Sequence, residues 1–312
     1  MPRHTDSVTV AAHGECDTLA LAMNRRELIN TCAFAALPLT FHSAASAASG
    51  RSRLRSALCA YSFRTALQSK KMTYHDLVRL AVDTEIDGLD LTVYWFPDVS
   101  DEFLYPLKQL AYKNGVEIYS LSIRTDMCKA PGDAAAKEFT EVKKWVDAAA
   151  KLGAGHIRVF GGTVPKGTSE DEAAGWVVEL LKRSADYAGS RGVVLGLENH
   201  GGITEKAERI VDIVKRVNSP WVGVNLDTGN FKRDVYKQVE MIVPYAVNVQ
   251  VKAEIQDETG THEADWNRVG SMLQRASYKG YLALEYEAAK AAETEVPPLL
   301  EKLKKVCRMY SA

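Results

Sequence analysis

Cysteine is scarce and unpatterned in this chain. The 312 residues contain Cys16, Cys32, Cys59, Cys128 and Cys307, with no CxxC spacing. That argues against a zinc knuckle and against a scaffold built on disulfides. An excess of either charge is also missing. Lys and Arg number 39 against 40 Asp and Glu, for a net charge of −1. With no basic stripe, nothing points to a nucleic-acid partner. No apolar run is long enough to span a bilayer: the best, residues 28–41, is broken by Asn30, Thr31 and Pro38. No Pro-, Gly- or Ser-rich linker interrupts residues 57–307. What remains, 46% apolar and 25% charged residues, is the composition of a folded globular protein, not of a disordered or fibrous one.

Residues 23–50 read MNRRELINTCAFAALPLTFHSAASAASG. A paired Arg25-Arg26, an apolar stretch and a closing run of small residues give the layout of a bacterial export signal. The string NRRELI resembles the twin-arginine type. The reading is an exported, periplasmic protein that starts at Met23, is cut near Ala47 or Ala48 and has no stable membrane anchor. A disordered tail is the alternative for residues 1–50.

Beyond residue 57, short runs rich in Val, Ile, Leu or Tyr alternate with amphipathic stretches of helical period. Strands are expected at 58–63, 86–92, 116–123, 156–160, 193–198, 222–227, 246–252 and 281–286. Helices are expected at 73–84, 101–114, 133–152, 169–190, 204–217, 234–242, 263–276 and 295–307. Thr73 and Ser169 are N-cap signals. Gly115, Gly153, Gly192 and Gly280 read as helix ends. Strict alternation implies a parallel sheet, and eight such units make the α/β class with a closed (β/α)8 TIM barrel, one domain over residues 57–307. The rival open, doubly wound sheet usually begins with a Gly-rich turn. Here the first strand runs into Tyr61-Ser62-Phe63-Arg64.

Alternate strand residues point to opposite faces. At 193–198 the odd positions are large and apolar, which suits the helix layer, and the even ones are Val194, Gly196 and Glu198. The same parity turns Gly223, Asn225, Asp227, Asn248, Gln250, Lys252, Ala283, Glu285 and Glu287 toward the barrel axis, with Arg158, Ser120, Ser122 and Arg124. Polar groups therefore gather at the C-terminal strand ends, where barrel active sites sit. Internal ion pairs among Lys252, Arg158 and the acids are the plain structural alternative.

Glu198, Asp227, Gln250 and Glu285 end four consecutive strands. Three carboxylates and one amide oxygen form a hard donor set suited to Mn²⁺, Mg²⁺ or Ca²⁺ rather than zinc. Without a cation, three clustered carboxylates repel one another and some must protonate.

The strings LENHGG (197–202), NLDTGN (225–230), NVQVKAE (248–254) and LEYE (284–287) resemble the xylose isomerase-like TIM barrel family of sugar phosphate isomerases and epimerases, linked also to the apurinic endonuclease 2 barrels. The resemblance covers residues 57–307. In the ketose 3-epimerase branch a Glu, an Asp, a His and a second Glu hold one divalent ion, and the two Glu shuttle the substrate proton. By motif those positions are Glu198, Asp227, Gln250 and Glu285. Gln250 replaces the usual His, and Asn230 stands where that branch tends to have another. Both changes favour Mn²⁺ or Mg²⁺ over zinc or cobalt. The endonuclease branch uses several more His than the four found here after residue 50, which argues against DNA repair.

Chemistry beside a sugar carbonyl needs a cation to polarise oxygen and a base to take the α-proton. Glu198 and Glu285 are read as ligands and acid/base residues, or as ligands only. His200 is an acid/base or hydroxyl-binding candidate, or an ordinary loop histidine. Lys252 would stabilise an enolate, or pair with Glu287 or Glu254. Arg124, Arg158 and Asn230 are substrate-binding candidates, the two arginines with structural ion pairing as the alternative. Trp95, with Tyr94 and Phe96, offers an aromatic face to a sugar ring, although core packing competes for at least one. His156, at the opposite strand end, reads as structural. The expected function is a divalent-metal-dependent sugar isomerase or epimerase acting through an enediolate on a small-molecule carbohydrate. The alternatives are a metal-dependent 3-keto-glycoside lyase and a non-catalytic sugar-binding barrel. Relatives allow a homo-oligomer.

Overall fold

The computed structural model describes residues 51–312, so the expected export signal lies outside the described residues. Eight parallel strands close into a barrel: β1 (Arg53–Cys59), β2 (Gly88–Thr92), β3 (Glu117–Ser122), β4 (His156–Phe160), β5 (Val194–Glu198), β6 (Val222–Asp227), β7 (Ala246–Val251) and β10 (Lys279–Leu284). Each pairs with its sequence neighbours in the ring, and β1 closes it by pairing with both β10 and β2. Strands β8 (Glu254–Asp257) and β9 (Gly260–Glu263) form a separate antiparallel hairpin after β7, which the sequence reading did not anticipate. The helices are α1 (Arg64–Gln68), α2 (Tyr74–Asp83), α3 (Asp101–Lys113), α4 (Asp133–Leu152), α5 (Glu170–Gly189), α6 (Ala207–Val217), α7 (Val235–Ile242), α8 (Trp266–Arg275) and α9 (Ala292–Tyr310). No helix among the described residues is long and apolar enough to cross a membrane.

Local chemistry fixes the helix ends. Thr73 accepts from Asp76 N while the Asp76 carboxylate accepts from Thr73 N, a capping box that starts α2. Ser169 caps α5 through Glu172 N. Gly153 ends α4 in the left-handed region (φ +85°), its N–H bonded to Ala149 O. After α8 that conformation falls to Ser277 (φ +55°), and Gly280, expected as a helix end, lies inside β10.

The expected parity holds for the helix-facing layer. Leu195, Leu197, Val224, Leu226, Val249 and Val251 are all fully buried, each contributing about 1.5–3 kcal/mol on burial. Two departures stand out. The first strand runs Arg53–Cys59 rather than 58–63, and Ala60–Phe63 form a 3₁₀ turn. Arg53 and Arg55 disguise it: they sit at the N-terminal rim, where Arg55 reaches Glu117 at 2.7 Å and lies over the Tyr281 ring. In β3 the register slips opposite Leu89 and Asp90, leaving Tyr119 as an extra residue. Tyr119 therefore joins the barrel interior and stacks on Tyr281 with centroids 3.7 Å apart. With Ala57, Cys59 and Ala283 the pair forms an apolar cluster inside the barrel. Gly88 makes room for it, since a Cβ there would come within 2.7 Å of the Tyr281 ring.

Candidate active site

Glu198, Asp227 and Gln250 lie at the C-terminal ends of β5, β6 and β7, and Glu285 follows β10, held in the ladder by its N–H to Val251 O. All four are buried. At this end a cavity of about 680 Å³ opens, and its walls include Glu198, His200, Asn230, Lys252, Glu285, Arg124 and Arg158. Seven of the ten expected site residues thus share one cavity. Asp227 and Gln250 lie outside its lining, and so does Trp95, which stacks behind the lining residue Tyr61 at 6.0 Å.

The acids are paired with cations from the chain itself. Arg158 Nε lies 2.9 Å from Glu198 Oε2, and the same guanidinium donates to Ile123 O and to the Tyr94 hydroxyl. Asn230 Nδ2 donates to Glu198 Oε1 at 3.0 Å. The Lys252 ammonium contacts Glu285 Oε2 and Glu287 Oε2 and lies 3.0 Å from Asp227 Oδ2. Asp227 Oδ1 accepts from Gly229 N at 2.8 Å. Cys59 Sγ donates to Glu285 Oε1 at 3.3 Å.

Gln250 belongs to a buried amide chain. Tyr119 donates to Asn248, Asn248 to Asn225, Asn225 to Gln250 Oε1 at 2.7 Å, and Gln250 Nε2 to Asp90 Oδ2 at 3.0 Å. Ser122 completes it by donating to Asp90 Oδ1. Both ends of the Gln250 amide are engaged.

Burial pushes the Glu198 carboxyl up to about 8 despite Arg158, and neighbouring Asp227 and Glu285 add to the rise. Burial raises Asp227 to about 7 against the pull of Lys252. Glu285 goes the other way: burial opposes its ionisation, but Lys252 and Arg158 outweigh it and hold the carboxyl at about 2. Burial also raises Asp90. His200 is lowered by burial and by Arg158, and its ring lies 4.0 Å from that of Phe160. Arg124, exposed at the mouth, lies over the Tyr94 ring.

The expected Mn²⁺ or Mg²⁺ ion does not fit this arrangement of side chains. The Gln250 carbonyl is already taken by Asn225, and both Glu198 oxygens face donors. The Lys252 ammonium stands against Asp227 and Glu285, two of the expected ligands. A divalent ion roughly 4 Å from that ammonium meets about 8 kcal/mol of repulsion at an effective dielectric of roughly 20. Among the described residues, no three Asp, Glu, His or Cys side chains converge as a metal-holding group. The plain alternative, ion pairs of Lys252 and Arg158 with the acids, is the geometry observed.

Sequence reading assigned no role to four contributors: Asp90, Asn225, Cys59 and Tyr61. Asp90 was within reach of the same parity rule, since Gly88, Asp90 and Thr92 alternate along β2. Asn225 was placed on the inner face but given no partner. Cys59 and Tyr61 were obscured by the displaced first strand. His156 lies outside the cavity lining, buried, with Nδ1 2.8 Å from Ser120 Oγ.

The fold is shared with solved structures of low sequence identity. An IOLI protein with a bound zinc atom is 15% identical, with TM-score 0.66, over 82% of this chain and 97% of its own. The 3-keto-D-glucoside 4-epimerase YcjR from E. coli is 14% identical, with TM-score 0.65, over 82% and 100%. The D-psicose 3-epimerase from Clostridium cellulolyticum H10, solved with D-tagatose, is 17% identical, with TM-score 0.64, over 82% and 95%. No curated protein sequence matches the chain. The pattern defining one family does, over residues 78–306, and the chain belongs to that family, the xylose isomerase-like TIM barrels.

Proposed function

We propose that the protein is a carbohydrate isomerase or epimerase that moves a proton on the carbon beside a carbonyl. One observation carries the reading: Glu198 and Glu285 face the same cavity, and their surroundings push their protonation in opposite directions. Such a pair is the mark of an acid and a base assigned by environment. In this scheme the Glu285 carboxylate takes the α-proton. The C–H electron pair becomes a C=C bond and the carbonyl π pair moves onto oxygen, giving an enediolate. The Lys252 ammonium and Arg158 guanidinium supply positive charge to that oxygen. As negative charge grows on that oxygen it shares the fixed Lys252 ammonium with Glu285, whose carboxylate gains basicity. Glu198, in its acid form, returns a proton to the opposite face of the carbon, and exchange with solvent resets both carboxyls. Asn230, His200 and Arg124 are assigned to sugar hydroxyls, and Tyr61, backed by Trp95, to a ring face. The epimerases among the structural neighbours support the same class of chemistry.

A second reading is β-elimination from a 3-keto-glycoside, with Glu198 protonating the departing oxygen. The open cavity of about 680 Å³ favours it, being within the range that holds drug-sized ligands. We further propose, from the Arg25-Arg26 signal, that the activity is periplasmic; N-terminal sequencing of exported protein tests this, and an intact Met1 on cytosolic protein would overturn it.

The deciding experiment incubates the protein, with and without added Mn²⁺, with free ketoses and with 3-keto-glucosides in deuterated water. Deuterium incorporation without aglycone release supports isomerisation or epimerisation. Released aglycone supports elimination. Neither event with either class sinks both readings.

A further inference from the structure

We propose that Lys252 occupies the cation position of this barrel, and that the protein holds its site together without a divalent metal ion. The inference rests on the site geometry above, though not on the choice between the two reactions.

Three independent features carry it. The first is where the ammonium stands. It touches carboxylates from two strand ends, Asp227 closing β6 and Glu285 just after β10, together with Glu287, and its side chain is only 9% exposed. Asp227 Oδ2 has no hydrogen-bond partner besides this ion-pair contact. The second is that the lysine is built in rather than swung in. A Cβ on Gly229 would lie 2.5 Å from Lys252 Cγ, so the bare glycine provides the groove for the stem. Lys252 N donates to Thr228 Oγ1, and its carbonyl accepts from Trp266 Nε1 at 2.7 Å. The third is what replaces the histidines. Gln250 and Asn230 both spend their amides on other side chains, Gln250 on Asn225 and Asp90, Asn230 on Glu198. A neutral imidazole would offer a nitrogen lone pair to a metal. These amides instead bind acids, Asp90 and Glu198, and in the case of Gln250 also the Asn225 amide, an arrangement that suits a fixed ammonium rather than a metal.

The test titrates Mn²⁺, Zn²⁺ and Mg²⁺, each alone, into chelator-treated full chain and into Lys252→Met, by calorimetry and thermal denaturation, with metal content measured on the purified proteins. Wild type is expected to carry no stoichiometric metal, to give no binding isotherm and to keep its melting temperature. Lys252→Met, which keeps the stem but leaves Asp227 and Glu285 without their cation, is expected to give a one-equivalent isotherm, with an affinity at least about tenfold above the detection limit that bounds wild type. If that variant fails to fold alone, added metal is expected to restore a cooperative transition. One equivalent of metal on wild type, with a raised melting temperature, overturns the inference. So does a variant that neither binds metal nor is rescued by it. These readouts involve no sugar, so failure of the proposed sugar chemistry would leave them unmoved.

Discussion

Arg158 Nε sits 2.9 Å from Glu198 Oε2, with both side chains at most 4% exposed. A guanidinium so deep is tolerated because it meets a carboxylate and a backbone carbonyl together. Arg158→Met should therefore cost stability in a pH-dependent way. Glu198 already has a raised folded pKa of about 8, above its unfolded value, so the folded state binds more protons and stability falls as pH rises through that window. Without Arg158 the folded pKa climbs further, and the decline continues past 8 where wild type has levelled off. The gap between the two should open above pH 8, toward the roughly 3–5 kcal/mol typical of a broken buried pair. Urea unfolding at pH 7 and pH 9.5 checks this; an equal gap at both would show that the pair does not carry the charge.

His156 should make the fold acid-sensitive. Burial, helped by Arg158, lowers its pKa from 6.5 to about 3. Between those values the unfolded chain binds the extra proton, so stability is present above about pH 6.5 and drains away as pH falls. The loss is about 1.4 kcal/mol per unit within the window. Gly196 leaves the ring its space, since a Cβ there would come within 2.4 Å of Nε2. His156→Gln should flatten the slope between pH 6.5 and 4.5 relative to wild type, as read by unfolding free energies. An unchanged slope would mean that other groups carry the acid sensitivity.

These two residues also show how far the sequence could be read. Strand parity turned Arg158 inward, and position along the same strand set His156 at the opposite end from the mouth, because a period of two is a property of backbone geometry alone. It likewise brought Glu198, Asp227, Gln250 and Glu285 to one end of the barrel. Parity does not say which partner a long side chain meets. Lys252 and Arg158 reach laterally along the barrel mouth, so their ion pairs depend on three-dimensional reach that spacing does not encode. The expectation of a metal, drawn from the clustered acids and the family resemblance, outweighed the alternative of ion pairs from Lys252 and Arg158, whose partners parity left open. The first strand was misplaced for a different reason: Arg53 and Arg55 look like loop residues until Glu117 and the Tyr281 ring are seen beside Arg55. Tyr119 escaped because a bulge breaks the very period used to read the strand.

The amide chain predicts a stability cost without a charge change. Asn225 donates to Gln250 Oε1 and accepts from Asn248, all three buried. Asn225→Leu removes both bonds and leaves a buried carbonyl and a buried amide without partners. Each unsatisfied group costs about 1–3 kcal/mol, so the variant should lose roughly 2–6 kcal/mol by urea unfolding. Asn225→Asp should do better at pH 5 than at pH 8, because only a protonated carboxyl can still donate to Gln250. Equal stability of Asn225→Leu and wild type would show that the chain contributes nothing to the fold.

The proposed division of labour between the two glutamates predicts a split that a shared structural role would not produce. With Glu285 as the base and Glu198 as the returning acid, Glu285→Gln cannot start the forward reaction. Both deuterium exchange at the α-carbon and product formation should fall, by about 10²–10⁴-fold. Glu198→Gln keeps the base but removes the proton for the opposite face. Glu285 can still remove the proton and, after exchange with solvent, return a deuteron to the same face. Exchange should therefore persist while epimerised product is lost. Parallel loss of exchange and product in both variants, with melting temperatures unchanged, would remove the acid/base assignment while leaving the fold and the ion pairs as they stand.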